Sequence, residues 1–176
     1  MAKVLYSASM SLDGYIAGPG GDMSWLAPYA GPNSTARDLP SRVGALLVGR
    51  RTYFGDDPNK GTDSEGAFGG KWRGRQFVLT HEPPAEIPPD TTFVTDLTSA
   101  VAAAKDAAGD KYVCVLGADV AGQALTAGLV DEVLTFVAPV LLGDGTRLFR
   151  GQPVHLERLT QKEHPMAAEL WYRVVR

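Results

Sequence analysis

Apolar residues in this chain fall in short runs ended by glycine, and between the runs they recur at helical spacing. The clearest run is Tyr112-Val113-Cys114-Val115-Leu116; it breaks at Gly117, and Val120, Ala121, Ala124, Leu125 and Leu129 then form a helical stripe. An unbroken apolar run predicts a strand buried on both faces, the habit of parallel strands in an α/β sheet. Gly117 lets the backbone turn sharply or be approached closely, and Asp119 is placed to cap the helix that follows. The free N–H groups of that helix would point out of the carboxyl edge of the sheet, where they attract an anion such as a phosphate. An ordinary strand-turn-helix connection reads the same way, because the full glycine fingerprint of a dinucleotide site is absent.

The same grammar runs along the rest of the chain. Lys3 to Met10 alternates, with Val4, Tyr6 and Ala8 on one face and Leu5 and Ser7 on the other. The segment Ser11 to Trp25 holds four glycines and a proline and predicts a loop, yet it carries Tyr15-Ile16-Ala17 and Trp25 as apolar residues that could close over something. A short helix is expected from Ser34 to Val43, interrupted by Pro40. The run Ala45 to Val48 follows, ended by Gly49-Arg50-Arg51-Thr52. Gly55 to Gly74 predicts a long loop with Phe68 and Trp72 embedded. Strands are expected at Arg75 to Thr80 and Thr92 to Thr95. Asp96 then caps a helix striped by Leu97, Val101, Ala104 and Ala108 and ended at Gly109. Val130 to Leu142 predicts one long strand ended by Gly143-Asp144-Gly145, and the tail from Val154 predicts two strands about Pro165, an antiparallel hairpin at a sheet edge. Strands alternating with helices before a closing hairpin give an α/β fold: a mainly parallel central sheet with helices on both faces and a C-terminal antiparallel hairpin.

Composition narrows the class. The 176 residues fit one domain, 1–176, with a real core, and 44% hydrophobic with 21% charged residues is an ordinary globule. A net charge of -3 argues against nucleic acid as a partner. No run approaches a membrane span and the N-terminus lacks a signal-peptide layout, so a cytoplasmic protein without a membrane partner is expected. The single cysteine, Cys114, sits inside an apolar run and reads as core. His81, His155 and His164 show no metal spacing with one another or with Cys114, so no metal is expected.

Three strand ends carry turn chemistry: Gly49-Arg50-Arg51-Thr52, Thr80-His81 and Gly117-Ala118-Asp119. Ligands of open α/β sheets sit at the carboxyl ends of strands, so the three can converge on one ligand. A guanidinium suits a phosphate and Thr52 adds a hydroxyl, which together suit a dinucleotide; a solvated helix start is the alternative. Asp13, beside Gly14 at the end of the first strand, reads either as a turn aspartate bonding its own backbone or as a group that orients substrate or relays a proton.

Ser9-Met10-Ser11-Leu12-Asp13-Gly14-Tyr15-Ile16-Ala17, Leu47-Val48-Gly49-Arg50-Arg51-Thr52-Tyr53, and Val130-Asp131-Glu132-Val133 through Pro139-Val140-Leu141-Leu142-Gly143-Asp144-Gly145-Thr146-Arg147-Leu148-Phe149 carry a resemblance. The chain resembles the dihydrofolate reductase-like proteins related to the C-terminal reductase domain of the bifunctional riboflavin-biosynthesis enzyme. That resemblance implies a dihydrofolate reductase-like fold, NADPH as hydride donor, and often a homodimer. It implies that Gly49, Arg50, Arg51 and Thr52 hold the adenine-side phosphates, and that Thr80 and His81 line the adenosine end. Gly117, Ala118, Asp119 and Val120 would cradle the pyrophosphate. Ile16 and Ala17 would lie against the nicotinamide and Trp25 near the mouth of the substrate pocket, with Asp13 and Thr135 as polar candidates beside the reaction.

Departures refine the expectation. Leu26-Ala27-Pro28-Tyr29-Ala30 carries no acid where dihydrofolate reductases place a pterin-binding carboxylate, which argues against folate as substrate. The family's glycine pair is here Gly117-Ala118, and the chain opens directly on the reductase strand, so no deaminase domain is expected in it. The reading is an NADPH-dependent oxidoreductase of a small heterocyclic or carbonyl-like substrate. Its alternatives are the pyrimidine reductase of riboflavin synthesis, acting on an aminouracil ribose phosphate, and a catalytically idle nucleotide-binding dimeric protein.

Overall fold

Each apolar run becomes a strand and each striped segment a helix in a computed structural model that describes residues 1–55, 57 and 59–176. In chain order the elements are β1 (Val4–Ser11), β2 (Tyr15–Ala17), α1 (Ser34–Arg42), β3 (Val43–Gly49), α2 (Arg50–Phe54), β4 (Arg75–Leu79), β5 (Thr91–Val94) and α3 (Leu97–Ala108). They continue as β6 (Tyr112–Leu116), α4 (Ala118–Thr126), β7 (Glu132–Ala138), β8 (Thr146–Arg147), β9 (Leu156–His164) and β10 (Ala167–Val174).

One eight-stranded sheet has the order β5-β4-β3-β6-β1-β7-β10-β9. Neighbours from β5 to β7 pair parallel, and β10 and β9 extend the sheet as the expected antiparallel hairpin. Period-two alternation divides the strands between two cores. Val4 and Tyr6 join Leu47, Val113 and Val115 under α3 and α4, while Leu5 joins Leu46, Cys114 and Leu134 with Leu39 of α1 and Trp72. Each fully buried leucine or valine contributes roughly 2 kcal/mol, so neither layer is dispensable.

Caps set the helix limits. Asn33 Oδ1 accepts from the Ala36 N–H at 2.9 Å to start α1, which runs through Pro40 to Arg42. Asp96 Oδ1 accepts from the Ser99 N–H at 2.7 Å to start α3, and Gly109 ends it at φ 63°.

Three expectations are corrected. β7 ends at Ala138, not Leu142: Pro139 has no N–H for a ladder, and Leu141 is 68% exposed. Tyr15–Ala17, read as loop, is a strand pairing antiparallel with β8, 129 or more residues later, through bonds no local pattern announces. The α4 cap is Gly117, whose φ of 103° turns the strand straight into the helix, so Asp119 lies inside the first turn and caps nothing. Asp56 and Pro58, within the Gly55 to Gly74 loop, lie outside the described residues. The rest of that loop is pinned by Trp72, which donates Nε1–H to the Val43 carbonyl at 3.0 Å.

Candidate functional site

Parallel strands present their carboxyl ends along one edge, and the expected turn residues stand there side by side. The register pairs Leu79 with Gly49, Val48 with Leu116, and Ala8 with Thr135. Continued by one or two residues, it sets Gly49, Gly117, Ala8 and Thr135 level on four adjacent strands. At roughly 4.8 Å per strand, Thr135 lies about 10 Å from Gly117.

The Gly49 and Gly117 corners interlock. A Cβ on Gly117 would fall 2.5 Å from Thr52 Oγ1, and the Gly49 nitrogen would be 3.8 Å from it. A Cβ on Gly49 would meet Val120 Cγ1 at 3.4 Å. Only glycine allows this approach at position 117, because its positive φ and its missing Cβ are both required. Arg51 Nη1 reaches Asp119 Oδ2 at 3.2 Å across the same gap.

Beside the corners lies a cleft of about 360 Å³, lined by Arg50, Thr80, His81, Glu82, Thr95 and Gln123 among others. Thr80 is buried; its N–H bonds the Val94 carbonyl at 2.9 Å and its Oγ1 accepts from the Glu82 N–H at 3.1 Å. Arg50 and Glu82 face each other with Nη2 and Oε2 3.0 Å apart. Glu82, Thr95 and Gln123 were not singled out from sequence. Gln123 carries the one available signal, since it flanks the Val120–Ala124 row of an otherwise apolar helix face.

A second cluster closes the other end of this edge. Asp13 Oδ1 accepts from Ser11 Oγ–H at 2.6 Å and from the Leu142 N–H at 3.0 Å; Oδ2 accepts from the Gly143 N–H at 2.7 Å. Ser11 is fully buried and its Oγ also accepts from the Tyr15 N–H at 3.0 Å. These bonds, led by that of the Ser11 hydroxyl, hold the Asp13 carboxyl down to about 2. They favour the ionised carboxylate, which clasps the two motifs to each other. The Arg147 guanidinium lies 4.6 Å from the centre of the Tyr15 ring, within reach of a cation-π contact. A Cβ on Gly145 would overlap the Ala17 carbonyl oxygen at 2.1 Å, which explains the glycine there.

The polar candidates do not converge on one point. Thr135 is buried and pairs with Ala8, five positions before Asp13, or roughly 16 Å of extended chain. Ile16 and Ala17 sit on β2, with Ile16 half-buried and Ala17 buried. Trp25 is half-buried in a 3-10 helix, Ser24–Tyr29, and its indole Nε1 is buried with no hydrogen-bond partner among the described residues. Such an orphan donor asks for an acceptor that the described residues do not supply.

A buried polar group absent from the sequence reading lies in the C-terminal hairpin. Glu169 is fully buried, with Oε2 2.7 Å from His164 Nε2 and Oε1 3.5 Å from Lys162 Nζ, an ion-pair distance without a hydrogen bond. Among the described residues no His, Cys, Asp and Glu group could hold a metal, and no helix is long and apolar enough to cross a membrane.

A mainly parallel sheet with its crevice at the carboxyl edge and an antiparallel closing hairpin is the dihydrofolate reductase-like fold. The chain belongs to the RibD C-terminal domain family, which it matches over residues 2–169. It is similar to YwjB of Bacillus subtilis, an uncharacterized protein, at 29% identity over 148 residues, covering 83% of this chain and 81% of that one. Among solved structures, a putative riboflavin biosynthesis protein from Shewanella sp. PV-4 superposes with a TM-score of 0.78 at 24% identity, over 100% of both chains. The riboflavin biosynthesis reductase Rib7 of Saccharomyces cerevisiae gives 0.66 at 17% identity, over 99% of this chain and 90% of that one.

Proposed function

We propose that this protein is an NADPH-dependent reductase of a small heterocyclic or carbonyl-like substrate. One observation carries the reading: the interlocked Gly49 and Gly117 corners stand next to a cleft lined by Arg50, Thr80 and His81 on the carboxyl edge of the sheet. Close-packed backbone beside a cation and hydroxyls fits the phosphates and ribose of a dinucleotide. Family membership, and the reductase named among the similar structures, support the same class.

In this reading NADPH, when bound, supplies the hydride. Arg50, with Thr52 and Thr80, holds the adenine-side phosphates, and His81 lines the adenosine end. Arg51 keeps α2 against α4 through Asp119, and the backbone from Gly117 through Ala118 and Asp119 to Val120 bonds the pyrophosphate. Ile16 and Ala17 lie against the nicotinamide and exclude water. The Nε1–H of Trp25, without a partner among the described residues, donates to an acceptor on the substrate, and Thr135 offers a hydroxyl on the pocket floor. Asp13 acts from a distance by fixing the loops that carry Ile16. The homodimer implied by resemblance belongs to this proposal and is read from mass in solution.

The family supports one specific alternative, the pyrimidine reductase of riboflavin synthesis. Titration of NADPH by calorimetry, then NADPH oxidation against heterocycles, carbonyl compounds and the aminouracil ribose phosphate, separates the cases. Turnover confined to the aminouracil establishes the alternative. Binding without any turnover points to an idle nucleotide binder, and absence of binding removes the dinucleotide.

A further inference from the structure

The cleft beside the Gly49 corner contains a carboxylate that a site for a phosphorylated ribose does not need. Glu82 Oε2 stands 3.0 Å from Arg50 Nη2, and both side chains line the cleft with Thr80 and His81. Both side chains are exposed, at 54% for Arg50 and 77% for Glu82, so a ligand can reach either. The Glu82 N–H is tied to Thr80 Oγ1 at 3.1 Å, and Thr80 is itself bonded to Val94 of the next strand, so the carboxylate starts from a fixed turn. Arg50 follows Gly49 directly and its guanidinium lies 5.7 Å from the centre of the Phe54 ring.

We infer that Glu82 sets the nucleotide preference of this cleft by competing with a ribose 2′-phosphate for Arg50. The inference rests on the dinucleotide reading above. The two nicotinamide nucleotides differ at the adenosine ribose, which carries a 2′-hydroxyl in NADH and a 2′-phosphate in NADPH. A carboxylate accepts a hydrogen bond from the hydroxyl, whereas a guanidinium grips the phosphate through paired N–H groups. Here the two recognition groups occupy each other. A 2′-phosphate must take Arg50 from Glu82 while that negative charge stays close, and a 2′-hydroxyl meets a ready acceptor. Arg51 turns instead to Asp119, with Nη1 3.2 Å from Oδ2. The pair therefore narrows the margin by which the cleft prefers NADPH, and charge at position 82 is the element that moves the ratio.

Calorimetric titration of NADPH, NADH and the adenosine bisphosphate bearing a 2′-phosphate into wild type, Glu82→Gln and Arg50→Gln tests this. Glu82→Gln is expected to raise the NADPH to NADH affinity ratio about tenfold, since roughly one to two unit repulsions at close range are removed. The bisphosphate should gain by the same factor. Arg50→Gln should lower NADPH affinity by a larger factor than NADH affinity. A ratio identical in wild type and Glu82→Gln, with both nucleotides bound, overturns the role of Glu82 and leaves the dinucleotide reading standing. If wild type binds neither nucleotide, the dinucleotide reading fails and this inference falls with it.

Discussion

The carboxylate of Asp13 accepts the backbone N–H of Gly143 at 2.7 Å, 130 residues further along the chain. That bond joins the Ser11-Leu12-Asp13-Gly14 turn to the Pro139 to Gly145 loop, and both flank the strand that carries Ile16. It also explains why the apolar run after Ala138 leaves the sheet: the Leu142 and Gly143 N–H groups are spent on Asp13.

The clasp has a pH signature. An aspartate ordinarily titrates near about 3.9, and Asp13 is held down to about 2, first by the Ser11 hydroxyl. A depressed folded-state value gives stability that is fully present above the unfolded value and lost as pH falls through the folded one. Asp13→Asn cannot show that loss. Denaturant midpoints of wild type and variant should differ by a constant amount above about pH 5 and converge toward about pH 2. A gap independent of pH contradicts the clasp. In turnover assays Asp13→Asn should leave the NADPH dissociation constant nearly intact and lower kcat.

Gly117→Ala tests the interlock. A new Cβ meets Thr52 Oγ1 at 2.5 Å, and the backbone is held at φ 103°. Strain of that kind costs about 1–3 kcal/mol, so a clear fall in thermal midpoint and weaker nucleotide binding are expected. Adding Thr52→Ala removes the steric part and should restore some of the stability, leaving the φ part. No recovery in the double variant contradicts the contact.

Glu132 anchors the opposite edge of the sheet. It is 4% exposed and accepts from Trp171 Nε1 at 2.8 Å, Tyr112 Oη at 3.0 Å and Lys3 Nζ at 2.8 Å. Glu132→Gln turns an amide N–H₂ toward donors and should cost about 2–3 kcal/mol in urea unfolding, with nucleotide binding retained. The hydrogen bond to Glu132 raises the Lys3 pKa. Its contribution is therefore present below the ordinary lysine value of about 10.4 and is lost as pH rises through the higher folded one.

Cys114 provides a probe of global opening. Burial pushes its thiol up to about 12 and the side chain is fully enclosed. Native protein should resist thiol reagents at neutral pH and react at the rate of unfolding. Immediate labelling of native protein contradicts the packing of β6.

Much of the fold was legible because its signals are local. Runs such as Tyr112 to Leu116 and stripes such as Val101, Ala104 and Ala108 depend only on spacing, and Asp96 and Gly109 mark a helix by their own chemistry. The β2–β8 pair and the Asp13 clasp depend on partners far along the chain, so the run through Leu142 read as strand. The site divides in the same way. Gly49 and Gly117 betray themselves as breaks in apolar runs. Glu82, Thr95 and Gln123 reach the cleft only through the neighbouring positions of β4, β5 and α4, and the orphan indole of Trp25 shows itself only once its surroundings are packed.

The proposal stands on one dinucleotide lying along the carboxyl edge from the Arg50 cleft to Ile16. A crystal structure of the protein soaked with NADPH addresses it most directly. Electron density is expected for the adenosine beside Arg50, Thr80 and His81, for the pyrophosphate against Gly117 to Val120, and for the nicotinamide next to Ile16. Density elsewhere on the molecule, or crystals that bind no nucleotide at saturating concentration, would contradict it.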